Sequence, residues 1–336
     1  MDETRSTRAM TQHSSTHRAP AVGAWACGLL AASALASAQD LAPRAYLITP
    51  TATNTLSLTY SYNTGGVLFE GAAPITDATT KLSVPSLAYY RSFSLLGRSA
   101  NALAVLPYGV GTFEGNVLEQ GRQSIYRSGL FDAGFRVSVN LLGGPAMTVA
   151  DIRQRRWQQK TLVGVSLKVI APTGQYDPTK LVNLGSNRWT FKPEIGFSHR
   201  TGHWIFDAYG SVWFFTRNPE FFSNNDYVPF TQVQTEDSVF ATEMHLSYDV
   251  RLRLWVSLDG NFWYGGRTSL NGVENPKTLQ KNSRLGVTAS IPVTRHGSLK
   301  LSYAAGAYIL YGGDYRIYSV AWQYAWVDKA SVRPKQ

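Results

Sequence analysis

Residues Tyr318 to Trp326 read Tyr-Ser-Val-Ala-Trp-Gln-Tyr-Ala-Trp. Every second position is aromatic or branched apolar, and the positions between are small or polar. At the two-residue period of a β-strand, this gives one greasy face and one wet face. A strand of a soluble sandwich would alternate too, but it would turn its apolar face to a core. An aromatic-rich face ending on Trp326 near the C-terminus fits lipid instead, as in the closing strand of a bacterial outer-membrane barrel.

The same unit recurs along the chain. Ten clear alternating runs cover Asn54–Asn63, Ser128–Leu141, Thr161–Ala171, Trp189–Arg200, His203–Thr216, Asp237–Val250, Leu252–Tyr264, Lys281–Thr294, Leu299–Tyr311 and Tyr315–Trp326. Two less regular runs, Lys81–Phe93 and Asn101–Phe113, carry Pro85 and Pro107, which remove ladder donors and predict bends or strand ends. Connections alternate in length. Long ones lie near 64–80, 114–127, 172–188, 217–236 and 265–280, and short ones near 94–100, 201–202, 251 and 295–298. Leu142–Lys160 breaks the pattern as a long connection on the short-turn side. With 12% aromatic, 16% charged and 29 glycines, the pattern predicts an all-β chain, an antiparallel transmembrane β-barrel of about 12 strands (alternatives 10 or 14).

The N-terminus reads as a leader. Arg5, Arg8 and Arg18 precede an apolar stretch from Ala21 to Ala36, and Ala36-Ser37-Ala38 fits a small-x-small cleavage site. The expected organisation is 1–38 signal peptide, 39–53 N-terminal periplasmic segment, 54–327 transmembrane barrel and 328–336 disordered tail. A membrane anchor is the competing reading of the leader. The single cysteine, Cys27, lies inside it, so the mature chain would have neither a disulfide nor a thiol nucleophile. The net charge of +10 raises nucleic acid as a partner. In an exported chain it fits anionic headgroups or solutes better.

Parity assigns the wall. Phe131, Ala133, Phe135, Val137, Val139 and Leu141 would face lipid, opposite Asp132 and Arg136. The ionisable residues expected to face the lumen are Asp132, Arg136, Lys168, Lys192, Glu194, Asp207, Glu243, His245, Asp249, Arg253, Asp259, Arg284 and Lys300. Their mixed signs suit internal ion pairs or solute selection. Tyr209, Trp213, Trp255 and Trp263 share the inward parity, either as an aromatic passage or as filling. Trp204, Phe214, Tyr248, Tyr264, Trp322 and Trp326 read as interface girdles.

The segment Pro172–Arg188 holds Tyr176, Asp177, Lys180, Asn187 and Arg188 among the turn formers Pro172, Gly174, Pro178 and Gly185. It is expected to fold into the barrel mouth with Asn187 and Arg188 facing solute. The competing reading is that Asp177 and Arg188 only pin the loop. Arg153, Arg155 and Arg156 beside Trp157 make a small basic cluster that could dock a partner or simply be solvated. No G-x-S-x-G elbow, P-loop, dinucleotide fingerprint or metal-ligand cluster occurs. No cofactor and no enzyme activity are expected, although some twelve-stranded barrels cleave lipids with Ser and His.

The middle of the chain resembles a family of exported proteins known as "MetA-pathway of phenol degradation". The resemblance rests on Ala171 to Trp189 (APTGQYDPTKLVNLGSNRW), Phe191 to Gly196 (FKPEIG), Gly202 to Asp207 (GHWIFD) and Trp213 to Thr216 (WFFT). It continues in His245 to Asp249, Trp255 to Asp259, Tyr264 to Gly266, Asn282 to Gly286 and Ile291-Pro292. It implies an outer-membrane transporter barrel found with aromatic-degradation pathways. The expected function is passive uptake of small hydrophobic or aromatic compounds across the outer membrane. The alternatives are a small diffusion pore for anionic or polar solutes and a structural barrel. Expected partners are outer-membrane lipid, a small solute, and the barrel-assembly machinery through Tyr318–Trp326. No plug is expected ahead of the first strand.

Overall fold

The alternation that marks each run puts β-branched and aromatic side chains on one pleated face, and such runs are stable only when every ladder is paired. The computed structural model describes residues 42–68, 75–117, 121–155, 160–226 and 228–328. The expected leader, the tail beyond Asp328, and Arg156 and Trp157 of the basic cluster lie outside the described residues.

Twelve antiparallel staves close into a barrel. In chain order they are β1 (Thr53–Leu68), β2 (Ile75–Leu95), β3 (Arg98–Val117), β4 with β5 (Gly121–Leu130 and Ala133–Leu142), β6 (Thr161–Ala171), β7 (Thr190–Thr201) and β8 (Trp204–Phe215). After a short loop strand β9 (Gln234–Glu236) come β10 (Val239–Arg251) and β11 (Leu254–Gly265). Two more loop strands, β12 (Thr268–Leu270) and β13 (Val273–Asn275), precede β14 (Gln280–Pro292), β15 (Gly297–Ile309) and β16 (Gly312–Val327). Each stave pairs with its sequence neighbour, and β1 closes on β16 from Thr53↔Val327 to Leu68↔Gly312. Closure leaves no open edge in the bilayer. Every one of the twelve runs seen in the sequence is a stave.

Several expectations change. The long connections at 64–80 and 114–127 are largely strand, because β2 and β3 run for 21 and 20 residues. A crossing needs only about 9–11, so these hairpins project beyond the membrane. Pro85 and Pro107 lie inside strands rather than ending them. At Pro107, β3 exchanges one partner for another, pairing with β4 above and β5 below. There the Phe131 amide donates to the Pro107 carbonyl at 3.0 Å. The fourth stave is itself broken at Phe131-Asp132. The break shifts parity, and Phe131 is buried inside the barrel against Leu82 and Phe113, not lipid-facing. Phe135, Val137 and Leu141 do face outward.

Short turns join β2–β3, β7–β8, β10–β11 and β14–β15, and the start of β1 and the end of β16 lie with them at the turn end. The other end, the loop end, carries the long connections apart from β5–β6, which lies at the turn end. Two of these carry β9, β12 and β13, which form a separate three-stranded sheet. A seven-residue helix α1 (Val149–Arg155) lies in the long β5–β6 connection. Asp151 accepts from the amide and hydroxyl of Thr148, both at 2.8 Å, which caps its start.

The outer wall is apolar. Leu58, Tyr60, Leu87, Phe135, Ile195, Met244, Leu285 and Trp322 are all exposed there. Trp204 packs on Tyr248 at 4.8 Å toward the turn end, and Phe214, Phe240 and Tyr264 mark the loop end. Such exposure is stable only against lipid.

The lumen as candidate functional site

The lumen has two unlike halves. Along β5 to β14 the inward positions carry a ladder of alternating charge. Arg136 donates to Ser166 and Glu194, both at 3.1 Å. Lys192 bridges Glu194 at 2.9 Å and Glu243 at 2.8 Å. Glu243 approaches His245 at 3.7 Å, and His245 Nδ1 lies 2.8 Å from Asp259. Asp259 also accepts from Ser257 and Thr288, both at 2.6 Å. Glu194, Asp207, Glu243, His245 and Asp259 are buried. Buried ions survive only when paired, and removing one partner of such a pair costs roughly 3–5 kcal/mol. Here the ladder braces the wall.

Residues 42–52 enter this packed half from the turn end as a strap. The Arg44 amide donates to Asp207 at 3.1 Å, and its guanidinium meets Asp249 at 2.7 Å. Arg200 holds the other oxygen of Asp249 at 2.7 Å. Tyr46, 1% exposed, donates to Glu194 at 2.9 Å, and its hydroxyl lies 3.1 Å from that of Ser166. Its ring lies over Gly164 and Gly196, which face each other across β6 and β7. A Cβ at Gly196 would come within 2.0 Å of the Tyr46 ring. Asn140 donates to the Tyr46 carbonyl at 2.9 Å. The strap then crosses to β2, where Thr49 meets the Tyr90 hydroxyl at 2.6 Å and the Ala52 amide donates to Ser92. The sequence reading missed this insertion.

The loop end is roofed by 172–188. Asp132, freed by the break in the fourth stave, accepts from the Gly174 and Ser186 amides, each at 2.8 Å. The two legs touch there, since a Cβ on Gly174 would lie 2.7 Å from the Gly185 Cα. Val182 and Leu184 are buried against Leu82, Phe113 and Phe131 of the inner wall. The loop packs over the mouth, and several of its polar residues bond to the connection between β8 and β10. Asn187 donates to Asn218 at 3.0 Å. Arg188 is buried with Glu236 and lies 4.5 Å from the Phe215 ring. This corrects the expectation that Arg188 faces solute. Tyr176 donates to the Glu220 carbonyl at 2.9 Å, and burial pushes its hydroxyl up to about 12. Asp177 is exposed and paired with Lys180 at 2.7 Å, and that hydrogen bond holds its carboxyl at about 2.

The opposite half of the lumen is different. The inward residues Ser57, Thr59 and Ser61 of β1, Val84, Ser86 and Ala88 of β2, and Leu103 and Val105 of β3 are only half-buried. So are Ser302 of β15 and Ser319 of β16. Inside a closed barrel, that exposure can only be to the lumen. A lane of small hydroxyl and aliphatic side chains therefore runs along β15, β16, β1, β2 and β3. The apolar roof stands over it at one end, and the strap crosses the other.

Arg136, Lys168, Lys192, Glu194, Asp207, Glu243, His245 and Arg284 all point inward, as do Trp213, Tyr209 and Trp263, which are buried. Lys168 and Lys192 lie over the Trp213 ring at 5.6 and 5.1 Å. Arg284 donates to the Gly313 carbonyl at 3.3 Å. Arg253 is the exception among the inward expectations. It sits in the β10–β11 turn with φ 66° and donates to carbonyls of the next turn, Thr294, Arg295 and Gly297. Its parity failed because the strand had already ended. His245 and Ser257 share the Asp259 carboxylate rather than each other, so no Ser–His proton relay forms there. Among the described residues no group of three or more His, Cys, Asp and Glu is placed to hold a metal ion.

The family described as "Putative MetA-pathway of phenol degradation" matches residues 55–307. The chain belongs to this family. The match spans nearly all of the barrel from β1 into β15. Among solved structures, the chain is similar to the COG4313 outer membrane channel from Pseudomonas putida F1, with a TM-score of 0.71 and 18% identity over 85% of this chain and 100% of that one. The β domain of the Bordetella autotransporter BrkA aligns at a TM-score of 0.46 and 13% identity, over 82% of this chain and 100% of that one. The transport unit of the autotransporter AIDA-I from Escherichia coli also gives 0.46, at 9% identity over 88% and 95%. At 18% identity the likeness to the COG4313 channel speaks to the barrel fold alone. No relative among curated proteins matches the chain.

Proposed function

We propose that the chain is an outer-membrane channel for passive uptake of small hydrophobic or aromatic compounds. The turn end then faces the periplasm, and the roof faces outside. The observation that carries the reading is the lane beneath an apolar roof, where Val182 and Leu184 pack on Leu82, Phe113 and Phe131 of the wall. An entry that passes beside these apolar side chains would oppose sugars and bare ions by dewetting. An apolar ring crosses it at little cost, because it leaves water for hydrocarbon contacts. Below the roof, the hydroxyls of Ser57, Thr59 and Ser61 offer exchangeable hydrogen bonds to a phenolic group. The strap across the periplasmic end is where release must occur.

The test is uptake of labelled phenol and of glucose by outer-membrane vesicles with and without the chain. Chain-dependent phenol uptake without glucose uptake is expected. Glucose entering as fast as phenol would mean a wet diffusion pore, and neither entering would leave a structural barrel.

A further inference from the structure

The charges that border the lane are not balanced in accessibility. Every carboxylate on the inner wall of the described staves is at most 9% exposed: Asp132, Glu194, Asp207, Glu243, Asp249 and Asp259. Each is already engaged, Asp132 by loop amides and the others by ladder, strap or turn-end partners. The cations, which have partners of their own, keep more exposure. Lys168 on β6 and Lys300 on β15 are half-buried with inward-facing positions. The Arg136 side chain on β5 keeps 15% exposure beside its Glu194 partner. β5 and β6 form one margin of the lane, and β15 forms the other. Among the described residues, a solute in the lane therefore passes between margins that expose cations and meets no accessible carboxylate.

The geometry points to aromatic anions, an aryl ring bearing a carboxylate or sulfonate, as the favoured class of solute, with Lys168 and Lys300 as the residues that select it. This rests on the channel reading above. The apolar entry admits the ring, and the low-dielectric walls focus the lysine field on the acid group. A neutral phenol gains only the first of these, and an aromatic cation is opposed by the second. The lysines select by position and do not transfer a proton or form a bond.

Two ions that cannot become neutral and slip through lipid make the test: benzenesulfonate and N,N,N-trimethylanilinium. Bi-ionic reversal potentials across a planar bilayer holding the full chain give their permeability ratio. The expected ratio is on the order of tenfold or more in favour of the anion. Lys168→Gln with Lys300→Gln is expected to bring it near one, and Lys168→Glu with Lys300→Glu to invert it. Phenol uptake by the same variants, unchanged within about twofold, shows that the barrel has folded. A wild-type ratio at or below one overturns the inference, as does a ratio unmoved by the double glutamine variant. If neither ion crosses while phenol does, the anion preference falls and the channel stands. If phenol also fails to cross, both fall.

Discussion

Tyr46 shows what a single residue can and cannot reveal in a sequence. Its partners Asn140, Ser166 and Glu194 lie 94, 120 and 148 residues away. Nothing local in residues 42–52 announces an insertion, since the period that reveals strands is short-range. The slot is just as silent, because Gly164 and Gly196 read as ordinary strand glycines until their pairing is known. The slot makes a sharp prediction. Gly196→Ala puts a methyl group 2.0 Å from the Tyr46 ring, and overpacking of this kind costs about 1–3 kcal/mol. The strap is expected to leave its site more often, with proteolytic cleavage in residues 42–52 rising roughly tenfold. Gly210→Ala is the control, because its nearest neighbour would be Ile195 at 4.0 Å. Equal cleavage in the two variants would show that the slot does not hold the strap.

At the scale of elements, the staves were legible and their interruptions were not. Alternation located all twelve, because a lipid-facing wall needs every second residue apolar over each crossing. The break at Phe131-Asp132 kept an alternating sequence while shifting which face each residue joined. The shift is what turns Asp132 toward the roof loop. Asp177 and Arg188, the charges that stood out in the loop sequence, serve a local pair and a buried pair instead. Asp132→Ala leaves the Gly174 and Ser186 amides without their acceptor, at about 1–3 kcal/mol. Hydrogen exchange at 174–186 is expected to quicken by roughly tenfold or more, and glucose to begin crossing. Unchanged exchange would mean that the contacts of Val182 and Leu184 suffice to hold the roof.

The whole molecule is set by two outward charge levels and one divided interior. On β2 the outward residues Lys81 and Arg91 lie about ten residues apart, and tilted strand geometry makes this ~25 Å, the height of an apolar belt. Arg91 is paired with Asp328 at 3.1 Å, so the residue just past the closing strand is ordered at the turn end. The closing strand Tyr318–Trp326 belongs to both descriptions. Its outer face is belt, and its inner face, with Ser319 and Ala321, is part of the lane. The division into a braced half and a lane is the central claim, because both the passage and its charge preference depend on it. Cysteine accessibility tests it directly. In a background without Cys27, cysteines at Ser61, Ala88 and Ser319 should react with a small water-soluble thiol reagent in proteoliposomes. Cysteines at Ser247 and Ser257, buried in the ladder half, should stay unmodified. Equal reaction at all five positions, or silence at the first three, would contradict a lumen so divided.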